Sequence, residues 1–206
     1  MINFENPSHV DYAGRVLMWY DFICPFCYVA QHRNAILSRH GLDVVELPFQ
    51  IHPDIPHGGI PAGPRVGPMY AMLEREAAEA GLPLNWPARL PNSRRALAAV
   101  EWVRRHQPSA FRQLHKDLFD AHFVLREDLE DPSVIDRHAS ESGVDLAAMH
   151  AALDDGSAVE AVMEAETTGR KHGVEGTPAW LFGQRLVMGL LPAAEFERLA
   201  EFRVLS

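Results

Sequence analysis

The sequence predicts an α/β fold that carries an all-helical insertion. Short apolar runs rich in strand-forming residues occur near both ends of the 206-residue chain. Between them, residues 68–153 show the 3.6-residue apolar period of amphipathic helices. A third observation locates the chemistry, because the only two cysteines stand three residues apart, in Cys24-Pro25-Phe26-Cys27, where the first strand meets the first helix.

The N-terminal part predicts a β-α-β unit. The apolar run Arg15–Tyr20 predicts a buried strand, and the mixed run Cys24–His40 predicts a helix that ends before Gly41. A second strand is predicted over Val44–Ile51. Because a crossover through one helix is right-handed and returns in the same direction, we expect the two strands to be parallel. Residues 1–14 are polar and irregular, which predicts an arm packed on the surface.

A long loop is predicted over residues 52–64, where four prolines and three glycines exclude both a helix and a central strand. Loops of this length inside compact domains are often functional. His52 and His57 lie in it. They are candidates for metal binding or acid–base chemistry, and solvent-exposed histidines without such a role are the alternative.

The helical period after this loop predicts one insertion. Each helix has an N-terminal signal such as Asp131-Pro132, or a glycine at its end such as Gly81. The predicted insertion helices are Met69–Ala80, Arg94–His106, Ala110–Phe123, Pro132–Ser142 and Val144–Leu153. We therefore predict a discontinuous α/β domain formed by residues 1–63 and 157–206, interrupted by a helical insertion domain of residues 64–156.

The closing segment returns to α/β structure. It predicts a helix over Ser157–His172 and an antiparallel hairpin whose turn is Gly183-Gln184, with Arg185–Met188 as its second strand. A last helix is predicted over Pro192–Phe202. Thr177-Pro178 immediately precedes the first strand of this hairpin.

The position of the two cysteines predicts thiol chemistry. A helix N-terminus offers free N–H groups and partial positive charge, so a thiolate at Cys24 is stabilised and its pKa falls. Cys27 lies on the same helix face, close enough to form a disulfide. We expect Cys24 to be an exposed nucleophile and Cys27 the inner, resolving thiol. The alternatives are a zinc site, for which a second Cys-x-x-Cys is missing, and two ordinary buried thiols.

Composition and charge restrict the classes of function that remain possible for this chain. A net charge of −9 argues against binding to nucleic acid or to an anionic membrane surface. No apolar stretch approaches the length that spans a bilayer. Residues 1–10 have neither the basic nor the apolar region of a secretion signal, so we expect the reducing cytoplasm. A lone cysteine pair in that compartment is more often catalytic than structural.

Four stretches in this order resemble a known family. They are Tyr20–Tyr28 around the cysteines, Pro48–Pro56, Leu118–Phe123 with Asp131-Pro132, and Gly173–Pro178. Together with the order of elements, they resemble the thioredoxin superfamily, and within it the DsbA-like oxidoreductases of the FrnE group, which are cytoplasmic and carry an inserted helical domain. The resemblance covers nearly the whole chain after residue 14.

This resemblance implies a thioredoxin fold with an all-helical insertion domain and a set of roles. Cys24 and Cys27 are then the catalytic attacking and resolving thiols. Pro178 is then a cis-proline beside them, and the backbone of Thr177 pairs with an extended substrate. Pro25 and Phe26, between the thiols, complete the expected substrate-binding residues.

Two residues depart from the family pattern, and they change the expected oxidising strength and the expected surroundings of Cys24. The strongly oxidising periplasmic enzymes have histidine where this chain has Phe26, and a phenyl ring cannot stabilise the thiolate, so we expect a milder oxidant. The FrnE group often has an aliphatic residue before the cis-proline, whereas the hydroxyl of Thr177 could form a hydrogen bond near Cys24.

Asp21, three residues before Cys24, is a candidate to orient the loop, to cap the helix or to accept a proton from Cys27.

A neighbouring class shares this architecture. The kappa-class glutathione transferases and 2-hydroxychromene-2-carboxylate isomerases look similar around Asp21-Phe22-Ile23, but they typically have serine in place of Cys24 and lack the second thiol. A glutathione-dependent isomerase or transferase is therefore one alternative to a thiol–disulfide oxidoreductase. A non-enzymatic thiol redox or metal sensor is another.

The expected reaction needs no metal and no organic cofactor. Glutathione is a candidate co-substrate, and the expected partners are proteins or small molecules that carry a thiol or a disulfide. The sequence leaves the direction of electron flow and the oligomeric state open, with a homodimer as one candidate.

Overall fold

The structure is a computed structural model that describes residues 15–204. The arm expected over residues 1–14 lies outside the described residues. The strands are β1 (Val16–Tyr20), β2 (Val44–Pro48), β3 (Ile60–Pro61), β4 (Arg89–Leu90), β5 (Ala179–Phe182) and β6 (Arg185–Met188). The helices are α1 (Pro25–Arg39), α2 (Pro68–Glu79), α3 (Arg94–His106), α4 (Pro108–Asp120), α5 (Pro132–Glu141), α6 (Leu146–Asp154), α7 (Ser157–Lys171) and α8 (Ala193–Val204).

The main sheet has four strands in the order β2-β1-β5-β6. Strand β1 pairs with β2 in parallel and with β5 antiparallel, and β5 and β6 form the predicted hairpin. Every residue of β1 is buried. The parallel pairing of the β-α-β unit therefore agrees with the expectation, and the strand before the cysteines lies in the middle of the sheet.

The two faces of β1 belong to different cores, because side chains alternate across a strand. Val16, Met18 and Tyr20 belong to a large cluster that includes side chains of α1, α8 and the insertion helices. Leu17 and Trp19 face the other side, where the cluster includes Ala165 of α7. Helices thus cover both faces of the sheet, as expected for an α/β sandwich.

The second strand is shorter than predicted. It ends at Pro48 rather than Ile51. Phe49 N still donates to the carbonyl oxygen of Tyr20 at 2.8 Å, but the two backbone N–H groups that follow it are bound by side chains. Gln50 N donates to Glu166 Oε1 at 3.1 Å, and Ile51 N donates to Asp21 Oδ2 at 2.9 Å. The chain therefore leaves the sheet close to the end of β1.

Two features of the insertion differ from the prediction. Residues 60–61 of the long loop form β3, which pairs antiparallel with β4 in a segment expected to be helical throughout. The helix predicted to reach Phe123 changes at Ala121 into a π-helical turn, Ala121–Leu125. That turn ends at Arg126, which has a left-handed φ of 60°, and Glu127 N donates to the carbonyl oxygen of Ala121 at 2.8 Å.

The five helices α2–α6 follow one another between β2 and α7, where the insertion was predicted. Buried residues of α3 and α4 belong to the same cluster as the β1 side chains that face α1. The division at residues 63/64 and 156/157 stays a prediction. Within residues 15–204, no helix is both long enough and apolar enough to cross a membrane.

Candidate redox site

The two cysteines lie at the start of α1, as the sequence predicts. Cys24 is the N-cap residue, and its carbonyl oxygen accepts from Cys27 N at 3.0 Å and from Tyr28 N at 3.1 Å. Pro25 occupies the first helical turn, where the missing N–H costs no helical hydrogen bond. Both thiols are free, so the structure shows the dithiol form.

Sheet pairing brings a distant segment to these thiols. Strands β1 and β5 run antiparallel with Trp19 opposite Ala179, so the residues before Ala179 lie beside those that follow β1. The Thr177–Pro178 peptide bond is cis, which agrees with the expectation. The Cys24 thiol donates to the carbonyl oxygen of Thr177, with Sγ and O 3.4 Å apart. Residues 153 positions apart in the chain therefore share one site.

Cys24 is less accessible than predicted. Its exposed fraction is 2%, and its thiol lies against the carbonyl oxygen of Thr177, so the expectation of an exposed nucleophile is corrected. Burial by itself raises the pKa of Cys24, but hydrogen bonds from the Cys27 thiol, from Thr177 and from the Cys27 backbone outweigh it. The pKa of Cys24 therefore lies below its ordinary value. The direction is the one expected at a helix N-terminus.

The pKa of Cys27 is shifted in the opposite direction from that of Cys24. Cys27 is fully buried, and this burial, together with the hydrogen bond and the charge of Cys24, raises its pKa well above the usual value. The first thiol is thus the better thiolate, and the second holds its proton. Pro25 and Phe26, which separate them, are both half-buried, so they form the accessible surface of the motif.

Asp21 is fully buried at the end of β1. Its carboxylate accepts from Ile51 N at 2.9 Å and from Ile23 N at 3.3 Å, so it fixes the loop that leads to Cys24. Burial raises its pKa, against the hydrogen bonds that it accepts. The negative charge of Asp21 also acts to raise the pKa of Cys24. Of the roles considered for Asp21, these contacts directly show the orientation of the loop.

The hydroxyl of Thr177 lies at the same site. Its Oγ1 atom is buried and has no partner with full hydrogen-bond geometry, yet Thr177 lowers the pKa of both Cys24 and Cys27. A hydroxyl that faces two thiols can donate to whichever sulfur becomes a thiolate. Thr177 is the residue that departs from the aliphatic side chain often found before the cis-proline in the FrnE group.

The loop histidines do not join the cysteines. His57 Nδ1 lies 2.9 Å from Glu130 Oε1, and its side chain is 99% exposed. His52 is exposed as well. Across residues 15–204, no group of three or more histidine, cysteine or acidic side chains is arranged to hold a metal ion.

Three buried histidines, His115, His122 and His138, were not identified as functional candidates from the sequence. His115 packs against Tyr20, Phe22 and Phe119 below the site. His122 lies in the π-helical turn with both ring nitrogens buried and without partners. His122 belongs to Leu118–Phe123, a stretch that carried the family resemblance, but nothing in its spacing indicates a π-helical turn.

Comparisons with known proteins agree with this geometry. The family model described as a DSBA-like thioredoxin domain matches residues 15–201. Among solved structures, a probable DsbA oxidoreductase from Streptomyces coelicolor is similar, with a TM-score of 0.76, 21% identity, and 92% of this chain and 89% of that chain covered. A structure of 2-hydroxychromene-2-carboxylate isomerase gives a TM-score of 0.70 at 22% identity, covering 93% and 98%.

A third similar structure is the cytosolic disulfide reductase DsbM from Pseudomonas aeruginosa with GSH. Its TM-score is 0.63 at 18% identity, and the match covers 93% of this chain and 96% of that chain. At these identities the likeness of the structures shows the fold, which is the thioredoxin fold with added helices predicted from the sequence.

Proposed function

The chain belongs to the family of DSBA-like thioredoxin domains, and from that premise we propose that it is a thiol–disulfide oxidoreductase in which Cys24 attacks and Cys27 resolves. The observation that carries the proposal is the asymmetry of the two thiols. The pKa of Cys24 is lowered and that of Cys27 is raised, although they lie one helical turn apart. A nucleophile and a resolving thiol need this difference.

The proposed reduction of a substrate disulfide takes two exchanges. The Cys24 thiolate attacks one sulfur of the disulfide, forms a mixed disulfide, and releases the other sulfur as a thiolate. Cys27 then loses its proton and attacks the Cys24 sulfur, which closes the Cys24–Cys27 disulfide and releases the second substrate thiol. The protein dithiol thereby gives two electrons and two protons to the substrate. The reverse sequence oxidises a dithiol substrate.

The surroundings of the thiols suit an extended substrate. Thr177 and Pro178 line the site from the β5 side, and Pro25 and Phe26 are the accessible part of the motif. In this proposal the Thr177 carbonyl oxygen leaves the Cys24 thiol and accepts a backbone N–H of the substrate. The Cys24 sulfur, which is buried in the dithiol form, becomes reachable in the same movement.

The proposal needs neither a metal nor an organic cofactor. Glutathione is its candidate small-molecule partner, supported by the presence of GSH in the similar structure of DsbM. That enzyme is cytosolic, which supports a cytoplasmic location for this chain, and membership of the FrnE group stays part of the proposal. A homodimer remains a candidate assembly.

The roles of the two thiols can be tested by substituting each in turn. Cys27→Ser should accumulate a glutathione adduct on Cys24 after exposure to oxidised glutathione, because attack proceeds and resolution does not. Cys24→Ser should gain little adduct, since the remaining thiol is buried and protonated. Intact-mass analysis measures both, with the double variant as the control. Equal adducts on the two single variants would refute the assignment.

A second candidate is supported by the likeness to 2-hydroxychromene-2-carboxylate isomerase. That candidate is glutathione-dependent isomerisation or transfer, which needs only one group at the position of Cys24. Full activity of this kind in Cys27→Ser would favour it, because disulfide exchange with turnover requires both thiols. Stoichiometric zinc in the purified protein would instead favour a sensor.

A further inference from the structure

Arg65, directly after the Pro- and Gly-rich loop, presents a cation without a counter-ion. Among the described residues, no carboxylate lies within ion-pair distance of its guanidinium, whereas Arg33, Arg94 and Arg105 each pair with a glutamate. Its Nε is buried and has no hydrogen-bond acceptor. Since an unpaired buried N–H of a charged group is costly, the chain retains here a charge that its own fold leaves unsatisfied.

Two aromatic rings hold this guanidinium in place. The Arg65 Cζ atom lies 5.5 Å from the centroids of both the Tyr70 and the Trp86 rings. Those rings are perpendicular, and Nη1 lies 3.2 Å from Tyr70 Oη, to which it donates. Trp86 is fixed in turn, because its Nε1 donates to Glu74 at 2.7 Å. Cation–π contacts orient a guanidinium without neutralising it, so its positive charge remains available.

Shared packing connects this cation to the redox motif. Trp86 and Phe26 pack against the same small buried cluster, formed by Val29, Leu73 and Ala77. The segment before Trp86 also lies against α1, because Tyr28 donates from its hydroxyl to the carbonyl oxygen of Pro83. Phe26 is the half-buried residue between the two thiols. Trp86 therefore connects Arg65 to the cluster against which Phe26 of the motif packs.

Exposed apolar side chains occur in the segment that follows Arg65, at Val66 and Met69, and in the π-helical turn that holds His122, at Leu125. Val66, Met69 and Leu125 are 74%, 44% and 56% exposed, and they are three of the six large exposed apolar side chains in the described chain. His122 lies close enough for the Arg65 charge to contribute to the lowering of its pKa to about 4, although burial is the larger cause. Its imidazole is therefore neutral at pH 7 and adds no charge beside Arg65.

We propose that Arg65, held by Tyr70 and Trp86, is an anion subsite beside Cys24 that selects small thiols and disulfides carrying a carboxylate; this rests on the redox function proposed above. The net charge of −9 repels anionic substrates over the surface as a whole. A fixed local cation offsets that repulsion at one place, and the apolar side chains exposed in the segment that follows it fit the body of a short peptide. Oxidised glutathione belongs to the selected class.

The test compares an anionic disulfide with a neutral one. The reduced protein is mixed with oxidised glutathione or with hydroxyethyl disulfide, and the rate of Cys24 oxidation is followed by quenching and intact-mass analysis. Arg65→Met keeps the packing of the stem and removes the charge. We expect about a tenfold loss of rate with oxidised glutathione and no loss with hydroxyethyl disulfide, as for the removal of one hydrogen bond to a charged group.

Two further variants control the result. Arg65→Lys should recover part of the rate with oxidised glutathione, because the charge returns without the planar guanidinium. Arg185→Met, which removes an exposed charge from β6, should behave as the wild type. Equal losses with both disulfides would show that Arg65 only supports the fold, and unchanged rates with both would show that it has no role; either result overturns the proposal.

Binding gives a readout that does not depend on the chemistry. S-methylglutathione cannot exchange, and calorimetry should show it binding the wild type about ten times more tightly than Arg65→Met. If the wild type reacts with neither disulfide, the proposed redox function is wrong. Weaker binding in Arg65→Met would even then support the anion subsite, and equal binding would overturn it.

Discussion

At the scale of single residues, the pKa of Cys24 depends on groups from two distant segments. Its own helix supplies the Cys27 contacts, and the loop before β5 supplies Thr177. The Thr177 hydroxyl has no partner in the dithiol form, so its role is tied to the thiolate. A buried hydroxyl without a partner otherwise carries only a cost.

Removing this hydroxyl tests its contribution. Thr177→Val should raise the pKa of Cys24, because a group that lowers it is lost while the backbone carbonyl remains. The free energy of unfolding should change by less than about 1 kcal/mol, since no native hydrogen bond is broken. Thiolate absorbance against pH measures the shift, and Thr177→Ser is the matched control. An unchanged pKa would show that the hydroxyl does not act on the thiolate.

At the scale of elements, the π-helical turn buries the imidazole of His122, and this burial should make the stability of the fold depend on pH. Burial is the main cause that lowers the pKa of His122 to about 4. Unfolded histidine has a pKa of about 6.5, so between these values the unfolded chain binds the extra proton. Stability from the neutral imidazole is therefore complete above about pH 6.5 and is lost as the pH falls toward 4.

Between about pH 6.5 and pH 4, the contribution of His122 to the free energy of unfolding should fall by about 3 kcal/mol, at about 1.36 kcal/mol for each unit by which the pKa is shifted. Urea unfolding of the wild type and of His122→Gln at pH 7.5, 6, 5 and 4 measures the difference between them. The wild type should lose more stability than the variant on acidification. Parallel curves for the two proteins would show that the imidazole is already protonated, or that it is solvated, in the folded chain.

At the scale of the whole molecule, the redox poise is the difference in stability between the dithiol and disulfide forms. With Phe26 between the thiols, no side chain of the dipeptide carries a charge that favours the thiolate. We expect a reduction potential of roughly −200 to −270 mV. Equilibration with glutathione buffers, followed by alkylation and mass analysis, measures it.

The variant Phe26→His gives the matched comparison. Its imidazole should favour the thiolate and hence the dithiol form, which makes the potential less negative. A wild-type value near about −120 mV would contradict the prediction and would mean that groups outside the dipeptide stabilise the thiolate. Urea unfolding of the dithiol and disulfide forms measures the difference between their free energies of unfolding. From the wild type to Phe26→His, this difference should change by about 1.4 kcal/mol for each 30 mV of change in the reduction potential.

Local patterns in the sequence determined the order of elements and the place of the cysteines. The start of α1, the strands of the hairpin and the starts of α3 and α5 all agree with what the sequence indicated. These features depend on neighbouring residues: a proline at the first helical position, an Asp-Pro pair, or a glycine turn between two apolar runs. Such signals act within a few residues, so a sequence carries them directly.

Only the tertiary structure decided the features that depend on contacts between distant residues. The contact of Cys24 with Thr177, the early end of β2, the β3–β4 pair and the π-helical turn all require groups from elsewhere in the chain. The same holds for Arg65, because its packing against Trp86 and its lack of an ion-pair partner among the described residues cannot be read from the sequence. Burial and pairing are properties of the packed molecule, and for that reason the burial of Cys24 and the surroundings of Arg65 emerged only from the fold.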